Sequence, residues 1–416
     1  MRIREVTKDH IRTLIFGFSI CVFLTSYYNT THAADWPNWR GPNYNGISNE
    51  TGWTTDWPNG KPAVLWKTNV GTGFSSISVS NGRAYTMGNI NDRDILYCFD
   101  AATGKKIWEQ SYDCPLFRKN HEGGPCGTPT VEGNAVYTFS KNGDALRFAA
   151  DTGRIVWRRN LHREYNYEHP TWHFSSSPVV VDNMVILNAG TNGIALNKND
   201  GSLIWQNGND KSGYASAVPC TQAGKKCVVM PTRAELVSLD TATGRIVWRY
   251  PWRTRYDINA ADAIVLGDKI FISSGYNKGC ALLKMDGNNV TELWRNSHMR
   301  NQINNSVIWQ GYIYGFDGQV GGGGQLRCVD YENGEVKWAK GGLGTGSLML
   351  ADGKLIILSE RGKLVIASAS PDQYNELASA QILTGKCWTV PVLSNGRLYA
   401  RNADGDLVCV DLRSEG

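Results

Sequence analysis

The sequence contains no adjacent cysteine pair and no Cys-x-x-Cys-His, so it encodes neither a vicinal disulfide nor covalently attached c-type haem. Long apolar runs are also lacking. The candidate from Leu14 to Leu24 is well short of the ~20 residues that a membrane-spanning helix needs. Charge is sparse, with Asp, Glu, Lys and Arg at 19%, and a net excess of +5 is too small to argue for a nucleic-acid partner.

The apolar run follows a basic start with Arg2, Arg4, Lys8 and Arg12, and it precedes a small-residue exit at Ala33 and Ala34. This is the layout of a secretory signal peptide. The boundaries so drawn are a leader at 1–33, an N-terminal segment at 34–60 and a folded domain at 61–416. The expected destination is the periplasm or cell envelope, with no membrane span in the mature chain. Cys21 follows Ile20 rather than a small residue, so it is not read as a lipid-attachment site. Nine of the ten cysteines then remain, an odd number that leaves at least one thiol without an intramolecular partner. Cys114 with Cys126, and Cys220 with Cys227, flank short loops and are candidate disulfides. Cys98, Cys328 and Cys409 recur two residues before an aspartate and read as small buried apolar groups.

What is abundant is tryptophan, 15 in all, and much of it is periodic. Phrases such as DAATGKKIW, ADTGRIVW, KNDGSLIW, DTATGRIVW, MDGNNVTELW and DYENGEVKW end at Trp108, Trp157, Trp205, Trp248, Trp294 and Trp338. Their spacings of 49, 48, 43, 46 and 44 residues match the period of propeller blades. Between them lie short β-branched and aromatic runs broken by Asn-Gly and Asp-Gly turns, which excludes helical repeats. Eight such runs start at Gly82, Asn134, Asn183, Lys226, Asp268, Gly311, Gly353 and Gly396, predicting an all-β, eight-bladed propeller of four-stranded antiparallel blades. The last unit ends without an outer strand, and PAVLWKTNVG around Trp66 is an outer strand without a blade, so the two termini are expected to close the ring. Unit seven has ASASPDQYNELASAQI in place of the phrase. Trp66 and the six repeat tryptophans are read as structural, with rings packed between blades and N–H groups needing partners.

Connections from an outer strand to the next inner strand all emerge on one side of a propeller. Three of them are rich in aromatic and charged residues: LFRKNHEGG, with Phe117, Arg118 and His121; LHREYNYEHPTWHF; and YPWRTRYDIN. That side is the expected binding face, with His169, Trp172, His173, Trp252, Arg253, Arg255, Tyr256, Asp257, Asn259, Asn304, Asn305 and Trp388 as its candidate residues. The spacing of His162, His169 and His173 with Glu164 and Glu168 fixes no ligand set, and no metal is assigned. Small or polar pairs such as Ser75-Ser76, Ser176-Ser177, Ala261-Asp262 and Asn304-Asn305 mark the inner end of each blade, beside the axial channel.

The Asp-x-x-Thr-Gly-Lys-x-x-Trp phrase resembles the repeat of the PQQ-like (pyrroloquinoline quinone) β-propeller superfamily, from Trp66 to Leu412. DWPNWRGPNYNGIS, after the leader, is similar to the opening of exported propellers of that kind. The resemblance implies the fold and leaves two functions open, because the superfamily includes both quinoprotein alcohol dehydrogenases and the assembly lipoprotein BamB. One is a non-catalytic scaffold similar to BamB, without a cofactor, that binds a cell-envelope protein or polysaccharide. The alternative is a PQQ-dependent alcohol or sugar dehydrogenase using Ca²⁺, with Asp257, Asn259, Asp262, Asn304, Asn305 and Arg327 as candidate groups and Trp388 as a stacking floor. The short chain and the lack of a Cys-Cys pair favour the scaffold. No catalytic residue is assigned. A glycoside hydrolase would need a paired acid and base, for which Glu164, Glu168 and Asp257 show no recognised spacing.

Overall fold

Apolar runs separated by tight glycine turns fold each repeat into an antiparallel meander, and eight meanders stand around one axis. The computed structural model describes residues 35–414; the leader read at 1–33, with Cys21, lies outside them. Blade 1 comprises Ser78–Ser80, Arg83–Ile90, Arg93–Asp100 and Lys106–Asp113. Blades 2 to 7 follow in chain order. Blade 8 is closed as expected, with Val64–Asn69 adding an outer strand to Asp406–Asp411 and Trp66 opposite Cys409. The first hairpin of each blade and the Thr-Gly turns emerge on one face, the turn face; the hairpin between the two middle strands and the longer connections between blades emerge on the other, the loop face.

Two circumferential seams join the blades. In the outer seam each repeat tryptophan reaches into the turn of the following blade. Trp66, Trp108, Trp157 and Trp205 donate their indole N–H to the carbonyls of Ala101, Ala150, Lys198 and Thr241 at 2.8–3.2 Å. Trp294 and Trp338 do the same to Tyr331 and Ser370. The glycine of the receiving turn lies flat on the ring. A Cβ on Gly104, Gly153, Gly201 or Gly244 would come within 2.5–2.8 Å of the preceding tryptophan. These glycines also hold φ near +70°, so turn geometry and ring packing make the same demand. Blade 5 replaces the Thr-Gly turn with a two-residue hairpin at Gly287 and Asn288. Gln222 fills the resulting gap, accepting from Trp248 at 2.9 Å and donating to Gly287 O.

The inner seam is a relay of polar groups around the channel. Backbone N–H groups of Ser76, Thr128, Ser177, Ser216 and Asp262 each donate to a side-chain oxygen of the next blade: Thr128, Ser177, Ser216, Asp262 and Asn305. Asn304 then donates to Gly346 O, Ser347 to Thr389 O, and Ser76 to Val390 O, which completes the circle. The small or polar pairs noted in the sequence therefore hold blade to blade, with Ser216 as the missing member in blade 4. Where the ring closes, the fully buried guanidinium of Arg401 donates to Gly71 O, Ser75 O and Met87 O of blade 1. Burial lowers its pKa to about 10.

The N-terminal segment crosses the turn face. Trp36 pairs with Val79 of blade 1, Pro37 O accepts from Val131 of blade 2, and Arg40 donates to Ser306 O of blade 6. Ile47–Ser48 lies parallel on the inner strand of blade 7, and Glu50 accepts from the backbone of Asn395 and Gly396 in blade 8. This segment also compensates for the missing phrase of blade 7. The turn Pro58–Gly60 packs on its outer strand, and Trp53 and Trp57 are buried with Ala380 and Leu383.

Neither candidate disulfide is present, and all nine cysteines among the described residues are free thiols. Cys220 and Cys227 do face each other across a hairpin whose two-residue turn closes at Gln222 and Lys225. That register makes them a hydrogen-bonded pair, with Cα atoms ~5.5 Å apart and side chains splayed more widely than in the alternate pairs. Cys114 is buried against Asp94, whereas Cys126 lies beside Gly124 O on the channel side. Cys98, Cys328 and Cys409 are buried, as read.

Replacing Trp157 by Ala is expected to cost ~3–5 kcal/mol. Gly201→Ala is expected to cost ~1–3 kcal/mol through overpacking on that ring. Because the two residues touch, denaturant unfolding of the double variant should fall short of the sum; strict additivity would refute the clamp.

Candidate functional site

Above the inner seam, the loop face opens into a funnel of about 330 Å³ along the axis. Its floor is Trp39, held where the N-terminal segment passes beneath the channel by a 2.6 Å hydrogen bond from Nε1 to Asp262 Oδ2. Its wall is aromatic. Trp388 stacks on Phe74 with centroids 5.5 Å apart, Trp172 meets Tyr214 edge-on at 6.2 Å, and Tyr276 and His121 also contribute. Lys141 is buried at the wall, donating at 3.2 Å to Trp172 O.

Asp262 is a buried carboxylate in this funnel, and it accepts three structural hydrogen bonds. Ser216 N donates to one oxygen at 2.6 Å, and Trp39 and Asn305 Nδ2 donate to the other. Burial raises its pKa while Arg40 opposes the shift; Arg40 is itself lowered to about 10, again by burial.

Of the residues expected to form the binding face, Trp172, Asn304 and Trp388 line the funnel. Trp388 is part of the wall, not the floor, because Trp39 already closes the channel from below. Trp252 requires a correction. It is fully buried, donates to Ser274 Oγ at 3.0 Å, and lies beneath Lys278 and Arg295, so its role is structural. Asn259 is buried too and ties down Thr232 O and Trp252 O. Asn305 belongs to the inner seam. Arg253 pairs with Asp257 at 2.8 Å, and Arg233 reaches the same carboxylate at 3.1 Å. Arg255 covers Tyr256, which is half exposed and meets Tyr276 edge-on. Glu164 accepts from Asn160 N and caps the short helix Leu161–Tyr165, a structural task.

His162, His169 and His173 form a column instead of converging on one point. Centroids lie 4.1 and 4.6 Å apart, and His173 stacks on Phe117 at 3.8 Å. His173 adopts φ of 63°, with its Nδ1 3.1 Å from Asn142 Oδ1. Burial, then the neighbouring imidazoles, lower both His169 and His173, the latter to about 4.

The groups named for Ca²⁺ and a quinone are brought together only in part. Asp262, Asn304 and Trp388 line the funnel and Asn305 donates to Asp262, whereas Asp257 is in a rim ion pair, Asn259 is under the loops and Arg327 lies in a separate cleft, and the named oxygens gathered at the funnel are fewer than the six to eight that Ca²⁺ takes. These residues do not fit that cofactor pair.

A family model described as outer membrane protein assembly factor BamB matches residues 48–167 and 118–340. The chain belongs to this family. Curated BamB of Yersinia pestis is 24% identical over 357 residues, 83% of this chain and 77% of that protein. BamB of Moranella endobia is 23% identical over 372 residues, 85% and 80% of the two chains. Among solved structures, BamB from Moraxella catarrhalis superposes with a TM-score of 0.61 at 16% identity, covering 84% of this chain and 99% of that one. A quinohemoprotein alcohol dehydrogenase from Comamonas testosteroni reaches 0.66 at 14% identity, covering 92% and 81%. At such identities these superpositions establish the fold alone.

Sequence reasoning missed Trp39, Phe74, Lys141, Tyr214 and Tyr276 in the funnel. For Trp39 a signal existed: an aromatic residue beside Arg40 in a segment with no blade of its own.

His169 and His173, in the loop that carries Trp172, make that loop sensitive to acid. A folded pKa below the unfolded value of ~6.5 means that the unfolded chain binds protons first. The stabilisation is fully present above about pH 6.5 and is lost as pH falls toward 4. The thermal midpoint should therefore drop across that interval, and drop less in His173→Asn, since asparagine tolerates the positive φ. Parallel curves for the two proteins would contradict this assignment.

Proposed function

We propose that the protein is an exported, non-catalytic scaffold of the cell envelope that docks a protein partner on its loop face, with an apolar side chain of the partner seated in the funnel. The observation that carries this reading is an aromatic funnel whose single carboxylate already accepts three structural hydrogen bonds. Such a site offers apolar area and shape, and its polar groups are tied to the scaffold: Lys141 donates to Trp172 O and His121 Nδ1 accepts from Gly123 N. The family supports it, since the relatives are named for outer membrane protein assembly. Among the described residues no helix is long and apolar enough to cross a membrane.

Photo-crosslinking in the cell envelope from a probe at Lys119 or Tyr256, beside the funnel, is expected to trap a discrete protein partner. A probe at Thr243 on the turn face should not. Trp388→Ala should weaken the crosslink at least tenfold, as loss of an interface anchor commonly costs ~2 kcal/mol or more. Equal trapping from both faces would overturn the assignment of the face. Ca²⁺-dependent binding of PQQ with dye-coupled alcohol or sugar oxidation would replace the scaffold reading with the dehydrogenase.

A further inference from the structure

One loop outward from the funnel, blade 6 carries a second cleft of about 350 Å³, lined by Asn277, Arg300, Asp317, Gln319, Gln325 and Arg327 with glycines of the loop after Asp317. Its lining has no aromatic or aliphatic side chain, in contrast to the funnel. Two guanidiniums share one carboxylate. Arg300 grips Asp317 through Nε at 2.8 Å and Nη2 at 2.7 Å, and Arg327 Nη1 reaches it at 3.1 Å. The cleft therefore keeps one uncompensated positive charge.

Both arginines are pre-positioned. Arg327 is anchored by donating to His298 O at 2.8 Å and to Gln325 Oε1 at 3.2 Å, and Arg300 contacts Asn277 Oδ1 at 3.3 Å. A guanidinium has five N–H donors, so each retains N–H capacity beyond these contacts. The loop from Gly318 to Gly324 forms a wall largely of backbone, with positive φ at Gly318, Gly321 and Gly323. At Gly321 and Gly323 a Cβ would meet nothing within 4 Å.

We propose that this cleft binds a uronic-acid sugar. One carboxylate matches the single surplus charge and the fork of a guanidinium. The amides of Asn277, Gln319 and Gln325 and the loop backbone suit the ring hydroxyls. The volume lies within the range of small-molecule pockets and exceeds what a lone oxyanion needs. With no aromatic platform, charge rather than stacking selects the sugar, so neutral hexoses are excluded. The site is separate from the funnel and does not depend on how the funnel is read.

Isothermal titration of the folded protein with sodium glucuronate at low salt tests it. Saturable 1:1 binding is expected, with glucose and sodium sulfate each at least tenfold weaker. Arg327→Gln should weaken glucuronate at least tenfold. If that variant melts early because Asp317 loses a partner, Gln319→Ala in the loop should still weaken it several-fold with an unchanged melting temperature. Oligogalacturonate tighter than the monomer would support a polysaccharide source, and equal affinity a free sugar acid. Absence of glucuronate binding, glucose binding equally well, or sulfate competing on equal terms would each overturn the proposal.

Discussion

The entry of each inner strand leaves a backbone polar group beside the neighbouring blade, and everything else in the propeller depends on that group being satisfied. An unpaired buried polar group costs ~1–3 kcal/mol, and eight of them would remove much of a domain's net stability. Five are answered by one short side chain from the neighbouring blade, and the last three junctions use side-chain donors to backbone carbonyls instead. Only Ser, Thr, Asn and Asp are short enough to act at that radius. Asp262 serves this seam: its two oxygens accept from blade 4, from blade 6 and from the N-terminal segment at once.

The outer seam works on a different principle at a larger radius. There the blades have diverged, and a large flat indole is needed to span the gap. The receiving glycine accommodates the ring because it has no side chain. Where the repeat fails, the chain supplies substitutes of equivalent reach: Gln222 in blade 5, and Trp53 and Trp57 from the N-terminal segment beside blade 7. That segment therefore serves both ends of the architecture, covering the defective blade outside and presenting Trp39 to the axis inside.

Closing one end of the channel changes what the other end can do. With Trp39 as floor, the loop face becomes a blind funnel rather than a pore, and the loops entering blades 1, 2, 3, 4 and 8, with a hairpin of blade 5, wall it with aromatic rings. The polar cleft of blade 6 lies beside it on the same face, so one surface carries an apolar site and a cationic site of similar size. His169 and His173 stay neutral near pH 7 because burial and repulsion from neighbouring imidazoles act in the same direction.

The sequence by itself determined the blade count, the meander, the closure between termini and the structural role of the tryptophans, because each follows from period and local turn chemistry. The face that carries the funnel was legible as a side of the ring, and Trp172, Asn304 and Trp388 were found in its lining. Its details were not. Trp252 looked like an exposed aromatic in a charged loop, and only packing under Lys278 and Arg295 reveals it as core. Trp39 lies 223 residues from Asp262, so no local pattern could join them. The cysteine pairs were close in sequence, yet Cys114 and Cys126 have different neighbours, and Cys220 and Cys227 face each other as free thiols. Tertiary structure decided these points because a closed ring brings eight distant segments to one axis, and side-chain direction there is set by blade-to-blade contact rather than by neighbours in the chain.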